Sequence, residues 1–287
     1  MPAHGPILRQ VHRSNIPGSV LHPRVWGRYF RVILHLWKAT LIQALEYRAS
    51  FALSILANGL DFGFGLLQYF LFFSVADKIA GWEMPHMLAF YGIFMSVFSL
   101  HFIFLYPNLA DMSQLVSTGQ LDLVLVKPFP AQLILSFKRL SFEEFGSFAA
   151  AQILLFSVWW TGGLTVTSSR LMMFVIAMTV SFALVYSLFL TLLALTISLE
   201  KMNDSADLMW SIFGLCRYPV DVFPRSIKRL FMSLIPIAFV TTVPARILTG
   251  IERPETVAAG VLLALLFLAF SRFCWRRALI GYSSAGG

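Results

Sequence analysis

Residues 111–130 read DMSQLVSTGQLDLVLVKPFP, a short stretch of mixed polarity between two long apolar runs. Ser117-Thr118-Gly119 is a turn or helix-stop signal. After it, Leu121, Leu123, Leu125 and Val126 present apolar surface beside Asp122 and Lys127, and Pro128 prevents smooth continuation of a helix. Nothing here suits catalysis. A short amphipathic element held between breakers suits a grip by a soluble partner that passes force to the flanking helices.

The flanking runs decide the class. Of 287 residues, 58% are hydrophobic and 13% charged, against about 25% charged in a soluble domain. The chain reads as an all-α integral membrane protein. Its 28 Phe suit lipid-facing and helix-packing surface, and its net charge of +8 suits loops that set orientation and touch anionic headgroups, not nucleic acid. Cys216 and Cys274 stand in apolar sequence with no CxxC or neighbouring His, the pattern of free thiols. Residues 1–27 form a polar tail without an apolar h-region, so no cleavable signal peptide is expected.

A helix needs about 20 residues, at about 1.5 Å each, to cross roughly 30 Å of hydrocarbon. Ala49–Ala76, Pro85–Tyr106, Phe145–Trp160, Leu171–Leu199, Ser205–Tyr218 and Thr256–Trp275 are the candidate spans. Leu230–Pro244 is apolar but short and punctuated by Pro236 and Pro244, which reads as a re-entrant outer hairpin over residues 219–250. The expectation is six spans within residues 49–278, that hairpin between spans five and six, and a cytoplasmic coupling loop over 108–141. A cytoplasmic tail follows over 279–287. Arg28, Arg31, Lys38, Arg48, Lys127, Lys138, Arg139, Lys201, Arg272, Arg276 and Arg277 then fall inside with the basic N-terminal tail. Both termini are expected in the cytoplasm. The basic segment Arg217–Arg253 runs against that trend.

Before the first span, Arg28, Arg31, His35 and Lys38 recur at helical spacing, with Phe30, Ile33, Trp37, Leu41 and Leu45 on the other face. Residues 28–48 are expected to form an amphipathic helix lying on the inner leaflet, because Trp37 and its aliphatic neighbours would otherwise have nothing to pack on.

Asp61 is the one acid well inside a span. Ser54, Asn58, Asp61, Gly65 and Gln68 are spaced 4-3-4-3, one polar stripe down a helix. Gly59 and Gly63 make a GxxxG pair on roughly the opposite face. Both features predict a first span covered on two sides. The stripe either lines a translocation path or permease seam, or is polar packing satisfied by neighbouring helices. Thr179, Ser181, Ser187, Thr191, Thr196 and Ser198 of the fourth span read as packing hydroxyls.

Two enzymatic patterns deserve weighing. Asn203-Asp204-Ser205-Ala206-Asp207 resembles the first magnesium-diphosphate motif of membrane prenyltransferases of the UbiA type. Ser211 stands where that motif expects a further aspartate, and no second Asp-rich loop follows. The plainer reading is Asp204 as a helix cap with Asp207 in the first turn. Glu143-Glu144 open the third span in the same way, and His86 and His101 are too isolated for a metal site. No GxSxG, HExxH or Walker A pattern occurs, so this chain does not hydrolyse ATP by the usual P-loop.

Thr118-Gly119-Gln120-Leu121-Asp122, then Leu125 and Lys127-Pro128, resemble the "G-x-L-D-x-x-L-x-[RK]-P" pattern of ABC-2 type exporter permeases, in the group labelled ABC-2 family transporter protein. Arg217-Tyr218-Pro219-Val220, Phe223-Pro224, Ile235-Pro236-Ile237-Ala238-Phe239 and Val243-Pro244-Ala245 resemble that group's "YP" element, outer hairpin and "P-x-A-F…P-A" tail. Lys127 departs from a more usual arginine without changing the charge. The resemblance implies a bacterial inner-membrane exporter of two permeases, identical or sister chains, with two separate ABC ATPase subunits. ATP and Mg would be bound by those ATPases and no cofactor by this chain. Asp111, Thr118, Gly119, Leu121, Asp122, Leu125, Lys127 and Pro128 would couple to the ATPase. Spans one, two and five would line the path, and Tyr218, Pro219, Pro224, Pro236 and Pro244 would shape an outer gate. A membrane scaffold without transport is the remaining class.

Overall fold

Long uninterrupted apolar runs leave the backbone no way to satisfy its hydrogen bonds in lipid except as helix, and helices are what they form. The computed structural model describes residues 23–127, 129–199, 205–233, 236–252 and 254–282. Helix α1 spans Pro23–Glu46, starting before the expected residue 28. Pro23 occupies its first position, where a missing N–H costs nothing. Tyr47 then breaks the helix (φ −96°, ψ 56°) and α2 runs Arg48–Val75. A turn closed by reciprocal backbone bonds between Ile79 and Trp82 (3.0 and 2.9 Å) returns the chain into α3, Met84–Phe104. We call the end of the bundle bearing α1 the near end, and the Ile79–Trp82 turn marks the far end.

At the near end the chain bends through α4 (Tyr106–Ala110), α5 (Met112–Ser117), α6 (Gln120–Leu125) and α7 (Ala131–Phe137). A 3-10 turn at Phe142–Glu144 leads into α8, Phe145–Trp160, which returns to the far end. Then follow α9 (Ser168–Leu199) and α10 (Ser205–Cys216). The far-end segment holds α11 (Arg225–Ser233), α12 (Ile237–Val240) and α13 (Thr242–Leu248), and the last long helix is α14 (Pro254–Gly281). The final helix thus continues past Trp275 into the expected tail. Residues 1–22 and 283–287 lie outside the described residues.

Helices α2, α3, α9 and α14 are long and apolar enough to cross a membrane. The other two expected spans are helical but short. The 16 residues of α8 rise about 24 Å and the 12 of α10 about 18 Å. Each falls below the roughly 30 Å needed.

Helix α3 is the centre of the bundle, buried almost continuously from Met87 to Ile103. It packs against α8 on one side, and a run of rings joins it to α10: Phe98 and Phe102 both meet Trp210 edge-on, and His101 stacks on Phe213 at 4.7 Å. Helices α9 and α14 pack along their length. The hydroxyls of Thr179, Ser187, Thr191, Thr196 and Ser198 donate to carbonyls of their own helix, while Ser181 reaches across to the Val240 carbonyl at 2.6 Å. Cys216 is buried and Cys274 half-buried, both as free thiols.

The expected cover on two sides of the first span is not what α2 shows. Only Gly65 and Tyr69 are buried, and Leu53, Leu56, Leu60, Phe64, Leu67 and Phe70 stand exposed. The reason is geometric. One face of α2 packs on the bundle, and no other element of the described chain lies on the opposite face, where a Cβ added at Gly59 or Gly63 would meet nothing within 4 Å.

Candidate functional site

The near-end bend is built from the break at Leu105 outward. There the backbone leaves helical geometry (φ −109°, ψ −49°), and Pro107 opens α4. Asn108, 4% exposed, donates to the carbonyls of Phe104, Ser136 and Arg139 and accepts from the Arg139 backbone N–H at 2.9 Å. Arg139 in turn donates one amino group to both Asp111 oxygens, at 2.9 Å each. The outgoing and returning arms of the bend are therefore stapled together at the base of α3. Sequence reasoning missed Asn108. Its signal was an amide one residue after a proline at the end of an apolar run, where broken backbone needs a side-chain partner.

Gly119 adopts the left-handed conformation (φ 71°) that ends α5 and starts α6. The Thr118 hydroxyl and N–H both bond the Gln114 carbonyl, at 2.7 and 3.0 Å. Along α6, Leu121 is 0% exposed and Val124 is buried, whereas Leu123 is 69% and Val126 65% exposed. Leu121 is thus a core residue that holds the bend together. The outward apolar pair is Leu123 with Val126, flanked by exposed Lys127. Leu125 is half-buried and Pro128 lies outside the described residues. The next arm is tied to α9, where the Tyr186 hydroxyl meets Gln132 at 3.0 Å and Ser136 at 3.2 Å.

Helix α1 is seated on this bend. The Trp37 indole donates to the Phe137 carbonyl at 2.8 Å and packs on Phe104, while Tyr29 packs on Phe129 at 4.4 Å. Trp37 therefore has protein to pack on, contrary to the expectation drawn from sequence. Arg28, Arg31, His35 and Lys38 stay exposed on the other face.

The polar stripe of α2 meets the bundle at successive levels. Ser54 borders a cavity at the near end. Asn58 donates to Glu144 at 3.1 Å, Gly65 presses on the Tyr91 ring so closely that any Cβ would collide with its hydroxyl, and Gln68 donates to the Tyr218 hydroxyl at 2.9 Å. Tyr69 adds a bond to the Arg217 carbonyl at 2.8 Å. Most of the stripe thus finds partners within the chain and reaches the Tyr218-Pro219 element. Asp61 is the exception: it is exposed, and no hydrogen bond or ion pair reaches it from the described residues.

Burial pushes the Glu144 carboxyl up to about 7, with repulsion from Glu143 adding to the rise and hydrogen bonds from Ser147 and Asn58 opposing it. An unfolded chain releases this proton near 4.5, whereas the folded one keeps it to about 7, so stability declines as pH rises between those values. Glu144→Gln is expected to melt higher than wild type at pH 8 and equally at pH 5, read by thermal unfolding in detergent.

At the far end, Asp221 gathers what sequence reasoning left scattered. It accepts from the Trp82 indole at 3.0 Å, from Lys228 at 2.6 Å and from Arg246, which also bonds Glu252 at 3.3 Å. Asp221 is the one acid between Arg217 and Ile251, an isolation that was the available signal. The prolines expected to shape a gate begin helical elements. Pro219 precedes a 3-10 turn at Val220–Val222, Pro224 precedes α11, Pro236 precedes α12 and Pro244 lies in the first turn of α13. Helices α12 and α13 are buried against the bundle; the Ser181 hydroxyl satisfies the Val240 carbonyl at the break between them, and side chains of the break satisfy backbone groups of the preceding segment. Thr241 donates to the Cys216 carbonyl at 3.1 Å, and Thr242 accepts from the Val220 N–H at 3.1 Å. Of the diphosphate-like motif, Asn203 and Asp204 lie outside the described residues. Asp207 sits in the first turn of α10, its carbonyl accepting from Ser211 at 2.9 Å.

Apolar crossing helices and strand-free architecture among the described residues are those of a multi-pass membrane protein. A family model described as ABC-2 family transporter protein matches residues 62–286, and the chain belongs to that family. Its members supply the permease component of ABC exporters, normally a non-catalytic membrane subunit that works with ABC ATPases. No curated protein and no solved structure matches the chain.

Proposed function

We propose that this chain is the six-span permease of a bacterial inner-membrane exporter. It moves an amphipathic or hydrophobic substrate outward, with both termini in the cytoplasm and the near end inside. Two ABC ATPase subunits, which bind ATP and Mg, dock on the near-end bend, and a second permease, identical or sister, completes the path. The observation that carries this reading is the bend itself. A rigid, hydrogen-bonded staple presents the apolar pair Leu123 and Val126 away from the chain's own core, the form that a force-transmitting contact requires.

Further features support the arrangement. Helix α1, docked along the bend with its cationic face outward, suits the inner-leaflet surface. The short helix α10 reaches the outer side through the buried α12–α13 segment, which acts as a re-entrant outer gate with Tyr218. The open Gly59 and Gly63 face of α2 suits close approach of the second permease. An ionised carboxylate at the bilayer centre costs about 3 kcal/mol on insertion scales, so Asp61 faces the water-filled path between the two permeases.

The deciding experiment is purification from native membranes, with Val126→Cys cross-linked to its neighbours. Recovery of a Walker-type ATPase joined at Val126 is expected. Intact complexes without an ATPase would favour a scaffold. Mg-dependent consumption of an allylic diphosphate by the purified chain would favour the prenyltransferase-like enzyme built on Asn203-Asp204-Ser205-Ala206-Asp207.

A further inference from the structure

The corner between α1 and α2 borders an open cavity of about 260 Å³, and its walls are chemically unlike the rest of the apolar bundle. Thr40 and Gln43 face it from α1, Tyr47 from the break between the two helices, Ser50 and Ser54 from α2, and Arg139, Ser141 and Glu143 from the segment before α8. At about 30 Å³ per water, that volume holds a small headgroup. Two opposite charges border it, and neither is fully engaged. Arg139 uses one amino group for both Asp111 oxygens, leaving its other N–H groups without a described partner. Glu143 accepts no hydrogen bond from any described residue.

We propose that this cavity holds the headgroup of an inner-leaflet phospholipid of the phosphoethanolamine class. The phosphate lies towards Arg139 and the primary ammonium towards Glu143, with the surrounding hydroxyl and amide groups completing the shell. Charge pattern selects this headgroup over the alternatives. A phosphoglycerol headgroup offers no cation to Glu143. A choline headgroup is cationic but has no N–H to donate. The site rests on the membrane placement of α1 proposed above and not on which ATPase drives the chain, so cross-linking at Val126 and lipid retention fail independently.

The test is native mass spectrometry of the full chain released from vesicles of equal phosphatidylethanolamine, phosphatidylglycerol and phosphatidylcholine. Wild type is expected to retain phosphatidylethanolamine about tenfold over either competitor, the ratio expected of one charge-assisted hydrogen bond. The isosteric Glu143→Gln is expected to lose most of its preference over phosphatidylcholine. Ser54→Phe, which fills the cavity, is expected to lose retention altogether, with helicity checked by circular dichroism. Equal retention of the three lipids by wild type, or an undiminished preference in Glu143→Gln, overturns the proposal. Free phosphoethanolamine at millimolar concentration is expected not to compete, and effective competition by it would overturn the lipid as the source.

Discussion

Leu123→Asp is expected to leave the permease folded while cutting transport about tenfold or more, whereas Leu121→Asp is expected to unfold the near-end bend. The two leucines are one turn-face apart on α6 and differ only in what they touch. Leu123 is 69% exposed and Leu121 0%. Leu121→Asp forfeits about 1.5–3 kcal/mol of apolar burial and adds the cost of placing a carboxylate among apolar neighbours. Its loss is therefore expected to reach about 3 kcal/mol or more, read as a lowered melting temperature of the purified chain. Leu123→Asp costs the isolated permease little, yet it puts a charge where the ATPase is proposed to sit, and central apolar contacts dominate such interfaces. Reconstituted complexes carrying it are expected to hydrolyse ATP without matching transport. Normal transport by this variant would remove the bend from the coupling route.

Asp221→Ala is the second large effect. Asp221 and Arg246 are 10% and 17% exposed at their side chains; breaking such a pair by removing one partner costs roughly 3–5 kcal/mol when the other charge is left unpaired, and Glu252, which still bonds Arg246, brings the loss to the lower end of that range. Lys228 is 37% exposed and contributes less through solvent screening. Loosening is expected over residues 219–250, seen as faster hydrogen exchange there with the near end unchanged. The pH dependence follows from the same contacts. Burial disfavours the Asp221 anion, but bonds from Lys228 and Trp82 and the charges of Arg246 and Lys228 outweigh it, so its carboxyl lies below the ordinary 3.8. The stabilisation is therefore fully present above 3.8 and lost as pH falls through the lower folded value. Protection over 219–250 is expected to be flat from pH 5 to 7 and to collapse only in stronger acid. Uniform exchange in wild type and Asp221→Ala would show that the cluster holds nothing together.

Helix positions were legible because they depend on neighbours in sequence. Phe145–Trp160 emerged with the expected bounds, and the run expected over Ala49–Ala76 folds as Arg48–Val75. The stripe of α2 was legible too, since side chains spaced 4-3-4-3 must share a face. What those side chains meet was not legible. Asn108 closes on Arg139 and Tyr69 on the Arg217 carbonyl, and no local pattern encodes pairings of that reach. Leu121 misled for a related reason. A six-residue amphipathic helix has apolar groups on two sides, and only the packed chain shows which side is inside. The described chain covers α2 on one side only, because a GxxxG pair marks a surface fit for contact without saying that the same chain supplies it.

The grip on α2 is uneven along its length. Among the described residues, bonds from Gln68 and Tyr69 clasp it at the far end, the Tyr91 hydroxyl reaches its Phe62 carbonyl midway, and one bond from Asn58 to Glu144 restrains it nearer the bend. A stiff rod held this way swings about its firmer clamp. From Gln68 back to Arg48 is about 30 Å of helix, so tilting through about ten degrees would carry the near end, and α1 joined to it, roughly 5 Å. A modest push beneath the bundle thereby becomes a wide sweep of Ser54 and Asn58, while the Tyr218 pivot barely travels.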